Sequence, residues 1–192
     1  MKPVIAQLYV LVIRGWLRFG KPIRSKIAGR FQPKLDLDIG ELEFDSFDEF
    51  ANWLRDHTRW RPDPGRGLLD LYPHIQHLFW QLSNNAIVED DCDGLSYFSA
   101  TCVAPYCDTP GDRYLVDIVI DPFAIELENS AHSICIFRRE GKWRVLSNGR
   151  LDPGAWDTFD EAVRQNHYAA GHPVLWWGAR DVYLKRVPAP LP

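Results

Sequence analysis

The stretch VEDDCDGLSYFSATC (Val88 to Cys102) sets one cysteine, Cys92, among four acids directly ahead of a helical pattern. A thiol at a helix start meets unsatisfied N–H groups and partial positive charge, both of which favour thiolate. The same N–H groups, with the backbone of Asp93 as the candidate, could hold the oxyanion that develops on an attacked carbonyl. A cysteine of this kind needs a base and a group that orients the base. His132 is the candidate base and Asn148 the candidate orienting residue. Glu89, Asp90, Asp91 and Asp93 argue the other way, because carboxylates aimed at a thiol raise its pKa. The chemistry therefore requires those acids to face solvent, cap the helix or meet cations.

The hairpin AHSICIFRREGKWRVLSNG (Ala131 to Gly149) must bring His132 and Asn148 together. A two-residue turn at Glu140–Gly141 would need positive φ at Glu140. A three-residue loop, Arg139–Glu140–Gly141, leaves that conformation to Gly141 alone. In that register Arg138 faces Lys142, and His132 lies opposite Asn148 with Cβ atoms about 4.5–5.5 Å apart. Cys135 then projects from the other face beside Val145, which leaves Cys92 as the nucleophile. His132 would accept the thiol proton and later protonate the leaving group, while Asn148 fixes the tautomer of the ring. Taken singly, each residue has a structural reading too: a buried thiol, a satisfied strand histidine, and an Asn-Gly turn.

The elements around these residues follow from periodicity. SFDEFANWLRDH (Ser46 to His57) opens with a capping box, Ser46 with Glu49, and repeats Phe47, Phe50, Trp53 and Leu54 at helical spacing. RPDPGRG reads as a loop, and Leu68 to Asn85 as a segment with a helix after Pro73. Leu95, Phe98, Ser99 and Cys102 form one helical stripe behind Cys92. Asp112 to Asp121 alternates as a strand, with Tyr114, Val116, Ile118 and Ile120 on one side. Asp157 to Gly171 is expected to be a helix stopped by Gly171, and Pro173 to Val187 one or two strands. Helices come first, then an antiparallel sheet with one helix inserted, which is an α+β pattern.

Charge divides the chain. Eight of the 22 Lys and Arg fall in residues 1–34, which hold no Asp or Glu; all 26 acids lie beyond them. Residues 1–45 thus form a basic arm and a transition, and residues 46–192 the domain proper. The arm could meet an anionic lipid surface or an acidic partner, or dock on its own acidic body; nucleic acid is the lesser reading. PVIAQLYVLVI (Pro3 to Ile13) is apolar, but no small-residue cleavage site follows it and it is too short to span a bilayer. We expect an uncleaved segment that docks, with an interfacial helix as the second option. Cys92, Cys102, Cys107 and Cys135 show no zinc spacing, and a reducing, cytoplasmic setting is expected. His74 and His77 lack further ligands, and the acid cluster lacks an alternating ligand pattern, so neither metal nor cofactor is expected.

DDCDGLSYFSA resembles the cysteine motif of the transglutaminase-like superfamily, closest to the bacterial transglutaminase-like cysteine proteinases. AHSICIFRREGKWRVLSNG is similar to their histidine strand and the strand after it, which ends in Asp-Asn. FANWLRDHTRWRPDP is similar to their preceding helix. The resemblance covers about residues 47–150. It implies a papain-like fold with the nucleophile helix packed on an antiparallel sheet, and the roles of nucleophile, base and third member for Cys92, His132 and Asn148. It also implies an upstream Gln or Trp near the oxyanion, for which Trp80 and Gln81 are the candidates. Asp90 or Asp91 replaces a family Gly, Gly94 replaces an acid, and Ser147 replaces the Asp of the Asp-Asn pair. The expected activity is hydrolysis of an amide in a peptide or protein substrate. The alternatives are an inactive binding or structural module on the same fold, and transamidation to an amine.

Overall fold

The computed structural model describes residues 2–35, 44–62 and 72–188. The proposed loop residues 63–67 and the start of the Leu68–Asn85 segment lie outside them. The chain opens with a helical rod: α1 (Lys2–Gly15), a π turn (Trp16–Gly20) and α2 (Lys21–Ala28). Gly15 and Gly20 keep helical dihedrals, so the rod is continuous through the π turn. Next come α3 (Phe47–Asp56), β1 (Thr58–Trp60), α4 (Ile75–Asn85), β2 (Val88–Asp90) and α5 (Cys92–Cys102). The C-terminal half holds β3 (Arg113–Ile120), β4 (Ala131–Arg139), β5 (Lys142–Ser147), β6 (Arg150–Leu151), α6 (Phe159–Gln165), β7 (Val174–Arg180) and β8 (Arg186–Val187).

Six strands form one antiparallel sheet in the order β6-β5-β4-β3-β7-β8. Strands β1 and β2 pair in parallel beside it. The molecule is mixed α and β, as the element pattern suggests. Alternation in β3 and β4 splits the core in two. Leu115, Cys135 and Phe137 pack with Phe50, Leu54, Leu78, Leu95 and Phe98 of α3, α4 and α5. Val116, Ile118, Ile134 and Ile136 pack with Phe159, Ala162 and Val163 of α6 on the other side. Leu95 and Phe98 are completely buried, each contributing about 1.5–3 kcal/mol, which fixes α5 against the sheet.

Local signals set most boundaries. Ser46 caps α3 by accepting from Glu49 N, while Glu49 returns to Asp45 N rather than to Ser46. The last helix is shorter than its periodicity suggests. Asn166 bonds Ala162 O and Val163 O and also receives Tyr168 N and Ala169 N. Its side chain thus satisfies both the helix end and the following turn, so α6 stops six residues before Gly171.

The hairpin register corrects the three-residue loop. Arg139 pairs with Lys142 across a two-residue turn, with Glu140 at φ 55° and Gly141 at φ 73°. The cost of positive φ at Glu140 is offset by Asp108, whose carboxylate accepts from Glu140 N (2.6 Å) and Gly141 N (2.9 Å). The pairing shifts by one residue, so Asn148 no longer lies opposite His132.

The basic rod docks on the body. Tyr9 bonds Ser130 (2.7 Å), Leu17 O accepts from Arg180 Nη2 (3.0 Å), and Ser25 Oγ accepts from Tyr72 N (2.7 Å). Lys21 is fully buried, ion-paired with Asp93 of α5 and set over the Tyr72 ring. Asp117 of β3 accepts from Arg180 of β7 (3.2 Å) and from the Tyr72 hydroxyl (3.2 Å). The Ser133 hydroxyl sits between Asp93 and Asp117, sharing its one proton. Burial opposes the Arg180 charge, but Tyr72 and Asp117 outweigh it and hold its pKa above the ordinary value. Replacing Lys21 by Met should leave Asp93 buried without this cation and cost about 3–5 kcal/mol in urea denaturation. Lys21→Met with Asp93→Asn should recover part of that loss; an unchanged midpoint for Lys21→Met would refute the pairing.

Candidate active site

Cys92 is the first residue of α5 and is partly exposed. Two anchors bring it to the start of β4. Its neighbour Asp93 contacts Ser133 on the α5 side of the strand. On the other side, Tyr168 packs its ring 4.5 Å from that of His132 and donates to Asn129 O (2.6 Å). Burial pushes the Tyr168 pKa up, and Cys92 and then Tyr9 add to the shift, so the sulfur lies within electrostatic reach of the phenol. Tyr168 thus packs on one sequence candidate and lies within electrostatic reach of the other. It is carried on the turn after Asn166, and no spacing in the sequence connects it with His132.

The four acids around Cys92 are each engaged. Glu89 pairs with Arg59 (3.0 Å) and Arg61 (3.5 Å) on the surface. Asp90 Oδ1 accepts from Asp91 N (2.9 Å), and Asp91 Oδ1 caps α5 at Asp93 N (3.0 Å) and Gly94 N (3.3 Å). Asp93 points into the body toward Lys21 and Ser133. Gly94 stands where the resembled motif has an acid, and a Cβ there would collide with the Asp90 carboxylate. The cluster is a set of caps and ion pairs.

His132 Nε2 is bonded to Ser147 Oγ at 2.9 Å. This follows from the hairpin shift: Ser147, not Asn148, shares the face of His132. Asn148 (φ 50°) and Gly149 (φ 74°) make the tight turn from β5 to β6, with Ser147 opposite Arg150. Asn148 is therefore not the partner of the ring, and its Oδ1 is buried without a hydrogen bond. Ser147 has a sequence signal, since it occupies the place of the Asp in the resembled Asp-Asn pair. Burial lowers the His132 pKa to about 4, so the ring is neutral at neutral pH. In the tautomer whose Nε2–H donates to Ser147, Nδ1 carries a lone pair and is a base.

Two of the three oxyanion candidates already have hydrogen-bond partners. Asp93 N already donates to Asp91, because the N-cap carboxylate reaches it first. Gln81 accepts from Glu89 N (2.9 Å) through Oε1 and meets His77 Nε2 (3.2 Å) through Nε2, so it braces β2 ahead of Cys92. Trp80 stacks on His77 at 5.8 Å. A cleft of about 700 Å³ is lined by Arg59, Trp60, Ser147, Asn148, Arg150 and His167 among others, and by neither Cys92 nor His132. Among the described residues, no group of three His, Cys, Asp or Glu could hold a metal ion.

Comparison with known proteins found no match among family models, curated proteins or solved structures.

The His132 environment has a measurable sign. Its imidazole takes a proton near pH 6.5 when unfolded and near 4 when folded, so proton binding favours unfolding between those values. Stability due to the neutral ring is complete above pH 6.5 and is lost as pH falls toward 4. An NMR titration should place the His132 midpoint near 4, and His132→Gln should lose less stability than wild type across that window. A midpoint near 6.5 would remove the buried-base description.

Proposed function

We propose that the protein is a thiol-dependent acyl-transfer enzyme that hydrolyses amide bonds in a peptide or protein substrate. The observation that carries this reading is Cys92 at the start of α5, with Tyr168 linking it electrostatically to a neutral His132 whose Nε2 is held by Ser147. Cys92 Sγ attacks the carbonyl while His132 Nδ1 takes the thiol proton. The C–N bond then breaks, the proton passes from His132 to the leaving amine, and a thioester remains on Cys92. Water attacks the thioester with His132 again as base, the C–S bond breaks, and the thiol is restored. An amine in place of water would give transamidation by the same steps. Ser147 fixes the ring and Tyr168 covers it; both are positioning residues. A nucleophile helix on an antiparallel sheet supports the papain-like arrangement that the transglutaminase-like resemblance implies.

A second reading, an inactive module on the same scaffold, has its own observations. Ser133 rather than His132 faces α5, and the Asp93 N–H is already engaged.

Alkylation separates the two. Burial pushes Cys107 up to about 12 and raises Cys102 and Cys135 as well, so all three should react slowly with iodoacetamide at neutral pH. Cys92 should react fastest by peptide mass spectrometry, and His132→Ala should slow it at least about tenfold. A Cys92 rate indifferent to His132→Ala would reflect exposure alone and would favour the inactive module.

A further inference from the structure

The helical rod of residues 2–28 has two faces. The inward face is committed to the body: Ala6, Leu17 and Lys21 are buried, and Tyr9 is bonded to Ser130. The outward face is apolar and open. Val4, Leu8, Leu11, Phe19, Ile23 and Ile27 each leave 55–62% of their surface exposed, and Phe31 just beyond the rod leaves 84%. A monomer rarely shows a contiguous apolar patch of more than a few hundred Å², and larger ones mark binding faces.

Charge identifies what covers it. Lys2, Arg14, Arg18, Lys26, Arg30 and Lys34 are exposed along or just beyond the rod, and no acid occurs in residues 1–34. The rest of the chain carries all 26 acids. A second copy laid on this face would set one basic flank against another. An extended nucleic acid would meet cations but leave the apolar stripe wet. The rod is also not a membrane span: its inward face is bonded to Ser130, Arg180, Tyr72 and Asp93 of the body, and exposed Lys and Arg recur along its length. No helix among the described residues is long and apolar enough to cross a membrane.

We propose that residues 2–31 lie in the plane of an anionic membrane surface, with the Leu8–Leu11–Phe19–Ile23 face among the acyl chains and the Lys and Arg at the headgroups. The acidic body is then held away from the bilayer, and the inward contacts of the rod remain in place. The surface is independent of Cys92 and of any activity there.

Flotation of the full chain with vesicles tests this. Wild type should float with vesicles of equal phosphatidylglycerol and phosphatidylcholine, weakly or not at all with phosphatidylcholine alone, and less at high salt. Leu11→Glu with Ile23→Glu, both exposed, should keep the wild-type melting temperature and lose binding to the mixed vesicles at least about tenfold. Wild type that stays with the soluble fraction, or a double variant that floats like wild type, would overturn the proposal. A concentration-dependent dimer in sedimentation, abolished by the same double substitution and unaffected by vesicles, would assign the face to a second copy and overturn it equally.

Discussion

Two cations and two carboxylates buried together hold the molecule in register. Lys21 comes from the rod, Asp93 from α5, Asp117 from β3 and Arg180 from β7, and each is at most 4% exposed. An ion in this position would cost several kcal/mol if left unpaired, so the four elements must arrive in one relative arrangement. Ser133 and Tyr72 complete the network, joining the two carboxylates and receiving Arg180 Nε at 3.1 Å. The result is a keyed joint rather than a greased one, since apolar contact alone would tolerate sliding. Asp93 is adjacent to Cys92, so the same joint that seats the rod also sets the first turn of the candidate nucleophile helix.

The site shows how one local substitution of partners propagates. Asp108 stabilises the positive φ of Glu140, the hairpin closes in two residues, and every opposed pair along β4 and β5 moves by one. Ser147 then reaches His132, and Asn148 is spent on the next turn. The acids near Cys92 follow a similar logic. Their density looks hostile to a thiolate, yet each has a partner in a cap, a surface pair or a buried pair.

The rod presents two unlike faces on a single helix. Its inward side is specific, with a buried lysine and hydrogen bonds to Ser130, Arg180 and Tyr72. Its outward side is uniform, with apolar surface between basic flanks. The π turn holds Trp16 against Gly20, where a Cβ would strike the indole, so the glycine is needed for the ring to lie flat on the rod.

The sequence by itself determined the α+β pattern, the apolar stripes of α3 and α5, the phase of β3, and the basic arm. These rest on periodicity and capping, which act within a few residues. It also singled out Cys92 and His132 and placed both on the right kinds of element. Tertiary structure alone decided the rest: the partner of His132, the burial of Asp93 against Lys21, and the arrival of Tyr168. Each depends on a residue far away in the chain, Asp108 on the hairpin and Lys21 on Asp93 above all. A carboxylate tens of residues distant can reverse a local turn preference, and no local pattern records that it will be there.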